Sequence, residues 1–323
     1  MASSDELWLV TATNSKFWKS ARTLLKSLRN VASIDGVLIY DLGLEVEEKD
    51  ELIREASPPL LISSALLAQS ADRSYLTNYW FKVDGLQLSS EVITQATRDT
   101  KDTLYILWVD SGILINQSIE RSYSLLKRND FFLCDLTTRA AAGGQSGFHV
   151  KALNHLASYD NAKGEFPFSP QAMCEPLLWA GVHGYKVNSQ YHTLVVRKAF
   201  DLAHERPDLM EGPKFVDPET RNRMEVDPIF TAALEHASKS NIQLASRRWN
   251  GVRHDLFLYT CLFHQAGFLP MSSQGLIEDI TDGNRTKFTA FATGVIEGET
   301  KFCPSLLKNP TSEFVIHRGS IWL

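Results

Sequence analysis

The first third of the chain alternates short apolar runs with segments whose apolar residues recur at helical spacing. The short runs predict buried strands, and the spaced pattern predicts amphipathic helices. The predicted strands are Leu7–Ala12, Gly36–Leu42, Leu60–Ile62 and Leu104–Val109, and the predicted helices are Ser15–Asn30, Glu47–Ala56 and Tyr79–Ala96. Strands and helices in this order form a largely parallel sheet with right-handed crossovers. We therefore expect an α/β fold with a mostly parallel sheet flanked by helices.

The pattern is less regular from Phe131 onward. Strands are predicted at Phe131–Leu136 and Leu177–Val187, and helices at Tyr191–His204, Ile229–Ser240 and Gly251–Gly267. Ala140–Gly147 is a loop of small residues, either a plain connection or a binding loop. Pro207–Asp227 is rich in Pro, Gly and charged residues, which predicts an irregular excursion that could serve as a lid. The C-terminal part predicts irregular strands that end at Phe314–Trp322.

Asp110 follows the predicted strand Leu104–Val109 directly and precedes Ser111-Gly112. The strand delivers this carboxylate to the carboxyl edge of the sheet, where ligands bind in open α/β folds. A carboxylate there can hold a divalent cation, which in turn can neutralise a diphosphate. Asp before Ser-Gly also caps turns without any ligand. Both interpretations of Asp110 stay open at this point.

Composition and charge narrow the class of protein. The 323 residues are 44% hydrophobic and 22% charged, which is ordinary for a globular protein with a sizeable core. A net charge of -5 without a Lys/Arg block disfavours nucleic acid as a partner. The cysteines lack the paired spacing of zinc or redox sites and are expected to be buried thiols: Cys134, Cys174, Cys261 and Cys303. Since the sequence has neither a signal peptide nor a long apolar stretch, we expect no membrane span and a cytoplasmic location.

Several short motifs together resemble sugar-nucleotide-dependent glycosyltransferases of the GT-A fold, of a bacterial and viral type. Four of them occur in the order found in that family: Leu9–Asn14 before a helix, Ile39–Leu44, Tyr79–Lys82 opening a helix, and Leu107–Gly112. Ala180–Val182 and Arg253–Asp255 resemble later segments of such enzymes. The likeness covers roughly residues 7 to 270. It implies one GT-A-like, Rossmann-like domain over 1–323, with a nucleotide-binding half at 1–115 and an acceptor-side half with a C-terminal extension at 116–323.

The resemblance also implies donor-binding residues. The turn after the first strand cradles the nucleoside in this fold, and the acid after the second strand contacts the base or ribose. A lysine that opens the later helix meets the donor phosphates. The residues implied are Thr11, Ala12, Thr13, Asp41, Lys82, Asp110, Ser111, Gly112 and Arg253. Thr11, Thr13 and Asp41 are equally suited to forming turns, and most lysines are solvated, so these alternatives stay open.

Asp110 resembles the last acid of the Asp-x-Asp metal motif, but Trp108 stands where the first acid is expected. The implied Mn²⁺ or Mg²⁺ then needs further ligands, for which His254 and His317 are candidates. Transfer without a metal is the alternative, with Lys82, Arg253 or Arg248 neutralising the leaving diphosphate.

An inverting transfer needs a base that deprotonates the acceptor hydroxyl. Asp255, at the start of a predicted helix, is the first candidate, although it also suits a helix cap, and Glu175 is the second. Gln145, Trp179 and His254 are expected on the acceptor side, where Trp179 suits either a sugar platform or the core.

We therefore expect a glycosyltransferase that moves a sugar from a nucleotide-diphosphate sugar, with a UDP-sugar favoured, to a hydroxyl of a glycan or another acceptor. An inactive sugar-nucleotide-binding or glycan-binding protein is one alternative, motivated by Trp108. The other is a sugar-phosphate nucleotidyltransferase. That class needs a Gly-rich loop with Arg and Lys after the first strand, which Thr11–Asn14 lacks.

Overall fold

The central feature of the computed structural model is a six-stranded sheet with the strand order β3-β2-β1-β4-β7-β6. The strands are β1 (Asp5–Thr13), β2 (Gly36–Asp41), β3 (Leu60–Ser63), β4 (Thr103–Val109), β6 (Phe131–Asp135) and β7 (Leu178–Lys186). Strand β7 is antiparallel to both of its neighbours, and the other five strands are mutually parallel. The predicted α/β fold with a mostly parallel sheet is thereby confirmed.

The structure describes most of the first half of the chain and separate segments of the second. The described residues are 5–97, 103–116, 118–135, 167–169, 178–210, 235, 254–273, 275–279, 295–296, 299–300 and 312–316. The predicted loop Ala140–Gly147, the helix Ile229–Ser240 apart from Glu235, and most of Pro207–Asp227 lie outside these ranges. Of the four cysteines, Cys134 and Cys261 are described, and both are buried as expected.

Eight α-helices flank the sheet in the described ranges. They are α1 (Trp18–Ser27), α2 (Val46–Glu55), α3 (Leu67–Ser70), α4 (Arg73–Thr77), α5 (Trp80–Thr97), α6 (Glu120–Asn129), α7 (Lys198–Glu205) and α8 (His254–Gln265). A π-helical segment, His192–Arg197, leads directly into α7, so the predicted helix Tyr191–His204 is present with a wider first part. None of these helices has the length and hydrophobicity of a membrane span.

The sheet separates two apolar cores because side chains alternate between its faces. The α5-side core packs beneath α5, α7 and α8 and includes Tyr40, Val83, Trp108, Tyr185 and Tyr259. The α1-side core packs beneath α1 and α6 and includes Leu24, Leu25, Leu107, Phe132 and Phe314. In β4 the alternation sends Trp108 to the α5 side and Leu107 to the α1 side. The next residue on the α5 side is Asp110.

Short strands join the C-terminal part to the first half of the chain, and the irregular pattern predicts strands in this part. A small sheet has the order β5-β11-β8, formed by β5 (Ile113–Ile115), β8 (Ile277–Asp279) and β11 (Phe314–Ile316). A second pair joins β9 (Val295–Ile296) and β10 (Glu299–Thr300). Glu313 accepts hydrogen bonds of 2.9 Å from the backbone N–H groups of Arg121 and Ser122, so it caps α6.

The strand order fixes where a ligand is expected. From β1 the chain moves outward through β2 and β3, and it then returns to place β4 on the other side of β1. The carboxyl ends of β1 and β4 therefore flank a topological switch point, which is where open α/β sheets bind ligands. Asp110 follows β4 directly at this edge.

Candidate functional site

A buried lysine joins two carboxylates at the switch point. The side chain of Lys82 is 4% exposed, and its Nζ lies 2.8 Å from Asp110 Oδ1 and 3.3 Å from Asp255 Oδ2. Nζ also donates to the carbonyl oxygen of Ala180 at 3.2 Å. An ammonium group has three N–H donors, so all three are engaged within the protein. We call Lys82, Asp110 and Asp255 the lysine cluster.

Four elements bring the lysine cluster together. Lys82 lies in the first turn of α5, Asp110 follows β4, and Ala180 lies in β7. Asp255 lies in the first turn of α8, where the positive end of the helix dipole stabilises a carboxylate. Gly85, one turn after Lys82, lets β4 approach α5. A Cβ at this position would lie 2.9 Å from Cζ3 of Trp108.

Asp110 presents one unoccupied oxygen to the outside. Its Oδ1 accepts hydrogen bonds from Trp108 Nε1 and from Lys82 Nζ, each at 2.8 Å. Within the described residues Oδ2 has no partner, and the side chain is 40% exposed. The backbone is also fixed, because the Asp110 N–H donates to Gly181 O at 2.8 Å and its carbonyl closes a turn with Ile113 N–H at 3.0 Å. Ser111 and Gly112 form this turn.

The charges of Asp110 and Asp255 stabilise the charged form of Lys82. Burial alone would lower the pKa of Lys82, but the charges of Asp110 and Asp255 outweigh burial and raise the pKa well above its ordinary value. Lys82 therefore stays protonated at neutral pH, and the cluster carries one net negative charge. The ammonium also lies 5.6 Å from the ring centroid of Tyr79 and 5.9 Å from that of Trp108, within the range of cation–π attraction.

A layer of buried polar groups lies beneath the cluster. His183 in β7 is fully buried, and burial followed by the charge of Lys82 lowers its pKa to about 3. Its Nε2 is 2.7 Å from the hydroxyl of Tyr191, which lies just before the π-helical segment. His183 Nδ1 and the hydroxyl of Tyr259 have no partner in the described part of the chain. His183 is therefore a neutral, structural histidine at neutral pH.

The predicted nucleoside residues lie at the ends of β1 and β2. Thr11, Ala12 and Thr13 are buried, and Thr11 Oγ1 has no hydrogen-bond partner among the described residues. Asp41 is also buried, with Oδ2 2.7 Å from Lys49 Nζ. Its Oδ1 accepts from the N–H groups of the next turn, at 2.8 and 2.7 Å. The turn-forming interpretation of Asp41 thus accounts for its contacts in the structure.

Of the remaining predicted residues, one packs on the other face of the sheet and the others lie outside the described residues. Trp179 is half-buried and packs against the α1-side core. Glu175, Gln145, Arg253, Arg248 and His317 lie outside the described residues, as does the side chain of His254. Sequence reasoning missed the role of Trp108 as a donor to Asp110. The available signal was the spacing of two residues, which places both side chains on one face of β4.

The described residues do not by themselves build a divalent cation site. They contain no group of three His, Cys, Asp or Glu side chains placed to hold a metal. Asp110 offers one free oxygen, whereas Mg²⁺ or Mn²⁺ prefers about six oxygen-type ligands. The cation that Asp110 does contact is the ammonium of Lys82.

Comparison with known proteins finds similarity among solved structures. It matches no protein-family model and no curated protein. Among solved structures it is similar to mouse xyloside xylosyltransferase 1 in its apo form, with 11% identity and a TM-score of 0.41 over 99% of both chains.

Two further structures show the same kind of likeness. The bifunctional glycosyltransferase WbbM is 10% identical, with a TM-score of 0.47 over 100% of this chain and 47% of that chain. The galactosyltransferase LgtC, in complex with donor and acceptor sugar analogues, is 10% identical, with a TM-score of 0.39 over 97% of this chain and 87% of that chain. All three structures are of glycosyltransferases, the class that the sequence resemblance names. At these identities and TM-scores the likeness does not assign an activity.

Proposed function

We propose that this chain transfers a sugar from a nucleotide-diphosphate sugar, with a UDP-sugar favoured, to a hydroxyl of a glycan or another acceptor. The observation that carries the proposal is the lysine cluster at the switch point, in which Asp110 Oδ2 has no partner among the described residues and the Asp110 side chain is 40% exposed. A fixed carboxylate at this edge suits a ligand rich in hydroxyl groups, because carboxylate oxygens accept hydrogen bonds strongly.

The transfer breaks the bond between the anomeric carbon and the diphosphate oxygen, and the diphosphate leaves with the electron pair. A bond forms between the anomeric carbon and the acceptor oxygen, whose proton passes to a base. In our proposal Asp110 Oδ2 accepts a hydrogen bond from a hydroxyl of the donor sugar. Lys82 and Trp108 hold the other oxygen, Oδ1, and so fix the orientation of that carboxylate.

The structure favours a positioning role for Asp255. Its side chain is 5% exposed and faces the ammonium of Lys82, whereas a base must contact the acceptor hydroxyl. Asp255→Asn distinguishes the two roles. Loss of the base would lower kcat with little change in donor affinity, and loss of the positioning contact would weaken donor binding as well. Glu175 stays the other candidate base.

In this proposal the donor and the acceptor bind to different sets of residues. The ends of β1 and β2, with Thr11, Ala12, Thr13 and Asp41, face the nucleoside, and Ser111, Gly112 and Arg253 complete the donor side. The acceptor approaches from 116–323, where Gln145, Trp179 and His254 were predicted. The alternative to this sugar contact is a Mn²⁺ or Mg²⁺ ion on Asp110 Oδ2, whose other ligands would come from the diphosphate, water, His254 or His317.

The test begins with binding and then measures turnover. Calorimetric titration of the purified chain with UDP, GDP, CMP, dTDP and ATP, each with and without Mn²⁺, identifies the nucleotide and any role of a metal. Consumption of the matching nucleotide sugar then measures transfer or hydrolysis. We expect Asp110→Asn to lower turnover at least 100-fold while nucleoside diphosphate binding is retained.

Asp130→Asn is the matched control, since Asp130 is an exposed aspartate whose carboxylate faces Lys186 at 3.4 Å. It lies before β6, at the opposite edge of the sheet from Asp110. Turnover in Asp130→Asn should stay within twofold of wild type. Equal activity of Asp110→Asn and wild type would remove the proposed role of Asp110. Binding of a nucleotide sugar without any turnover would favour an inactive sugar-nucleotide-binding protein instead.

A further inference from the structure

Tyr79 has a backbone conformation that tyrosine rarely adopts. In the described residues, the non-glycine positions with positive φ are Tyr79 at 61°, Asp130 at 63° and Asn188 at 62°. Asp and Asn tolerate this left-handed region because their short polar side chains bond locally, and both stand in turns. An aromatic side chain has no such compensation, so the local strain at Tyr79 must be outweighed by its surroundings.

The strained backbone places the Tyr79 ring beside the lysine cluster. Tyr79 directly precedes α5, and its carbonyl oxygen accepts a hydrogen bond of 3.0 Å from the N–H of Lys82 in the first turn of that helix. The ring is partly exposed, with its centroid 5.6 Å from Lys82 Nζ and 5.9 Å from the Phe81 ring. The same ammonium lies 2.8 Å from Asp110. A ligand that reaches the free oxygen of Asp110 therefore comes close to an aromatic face.

We infer that Tyr79 is a sugar-binding residue whose ring stacks on the apolar C–H face of the transferred sugar. This inference rests on the proposed function. Sugar rings carry hydroxyl groups at their rim and C–H groups on their faces, so a carboxylate and an adjacent aromatic ring complement them. The proposed function puts the nucleoside at the ends of β1 and β2, whereas Tyr79 directly precedes α5 beside Asp110. In this inference the Tyr79 ring contacts the sugar, and other residues contact the base.

The test uses substitutions that keep the left-handed backbone while they remove the ring. Tyr79→Gly and Tyr79→Asn both suit a φ of 61°. Calorimetric titration with UDP, UDP-glucose, UDP-galactose and UDP-N-acetylglucosamine gives the affinity that the sugar adds to that of UDP. For the sugar that wild type prefers, both variants should lose at least tenfold in affinity, with UDP binding within twofold of wild type. Tyr79→Phe should recover the affinity that Tyr79→Asn loses.

Asn188→Gly is the matched control because Asn188 shares the left-handed conformation, is exposed, and follows β7 at the opposite edge of the sheet. Its affinities should equal those of wild type. Melting temperatures separate a functional ring from a structural one: Tyr79→Gly should melt no lower than wild type. A lower melting temperature with unchanged affinity for the UDP-sugar would overturn the inference, as would equal losses for UDP and UDP-sugar. If wild type binds no nucleotide sugar, the proposed function itself fails, and the inference fails with it.

Discussion

Replacement of Lys82 by methionine tests the central electrostatic feature of the protein. Methionine keeps an unbranched side chain of similar length, so the substitution removes the charge and three hydrogen bonds with little change in shape. It leaves Asp110 and Asp255 with no cation to neutralise them within the described residues. The expected result is a large loss of stability that originates mainly from one of the two carboxylates.

The burial of the two carboxylates indicates which of them causes more of this loss of stability. At distances of 2.8 and 3.3 Å and an effective dielectric constant of about 20, each pair has roughly 5 to 6 kcal/mol of Coulomb energy before desolvation. Water screens Asp110, which is 40% exposed, so that pair contributes about 1 kcal/mol at most. Asp255 is 5% exposed, and breaking a buried pair costs about 3 to 5 kcal/mol. We expect Lys82→Met to lower the free energy of unfolding by about that amount.

Urea unfolding of the single and double variants measures this loss. Lys82→Met combined with Asp255→Leu should recover most of it, because an apolar side chain of similar size replaces the stranded buried carboxylate. Lys82→Met combined with Asp110→Asn should recover little, because Asp110 already reaches water. A loss below about 1 kcal/mol in Lys82→Met, or equal recovery in both double variants, would refute the reasoning.

Three further predictions concern packing and pH. Gly85→Ala places a Cβ 2.9 Å from Trp108, and this overpacking should cost about 1 to 3 kcal/mol in urea unfolding; an unchanged midpoint would contradict it. Burial lowers the pKa of His183 to about 3, so the unfolded chain takes up the proton first and stability should fall as the pH drops from about 6.5 toward 3. His183→Phe should flatten that dependence, and an unaltered slope would exclude His183 as its cause. Burial opposes ionisation of Asp41, but Lys49 and two backbone amides outweigh it and lower the pKa of Asp41. Its stabilising effect is therefore complete above about pH 4 and lost as the pH falls through the lower folded value, so the stability difference between wild type and Asp41→Asn should close in acid.

The local pattern predicts the parallel part of the fold because each apolar run carries its own signal. Leu104–Val109 is one such run, and its end at Asp110 follows directly from the sequence. The position of β7 between β4 and β6 has no local signal, since strand pairing over long distances leaves no trace in periodicity. Helix α6 escaped prediction because it is mostly polar, with only Ser122 and Leu126 buried. Glu313, which caps it, lies far along the chain.

The members of the lysine cluster were each predicted as site residues, but their contact was not. Lys82, Asp110 and Asp255 are widely separated in sequence, and only the packing of α5, β4 and α8 brings them together. The common fate of a lysine is solvation, so the burial of Lys82 also had no local signal. The phosphate contact that the resemblance implies for Lys82 competes with three internal acceptors that already engage its ammonium.

Trp108 explains how the site differs from a paired-acid arrangement. A carboxylate at this position would lie in the α5-side core beside Gly85, where the tryptophan ring now packs, and a buried charge there would need a second cation. The tryptophan instead supplies a neutral N–H donor to Asp110, and Lys82 supplies the positive charge from inside the protein. Because two carboxylates surround one ammonium, the cluster presents a single negative charge to the ligand. A negative site repels a diphosphate unless a cation accompanies it, but it attracts hydroxyl groups without one. If the chain binds a nucleotide-diphosphate sugar as proposed, the electrostatics of the cluster favour contact between Asp110 and the sugar over contact with the phosphates.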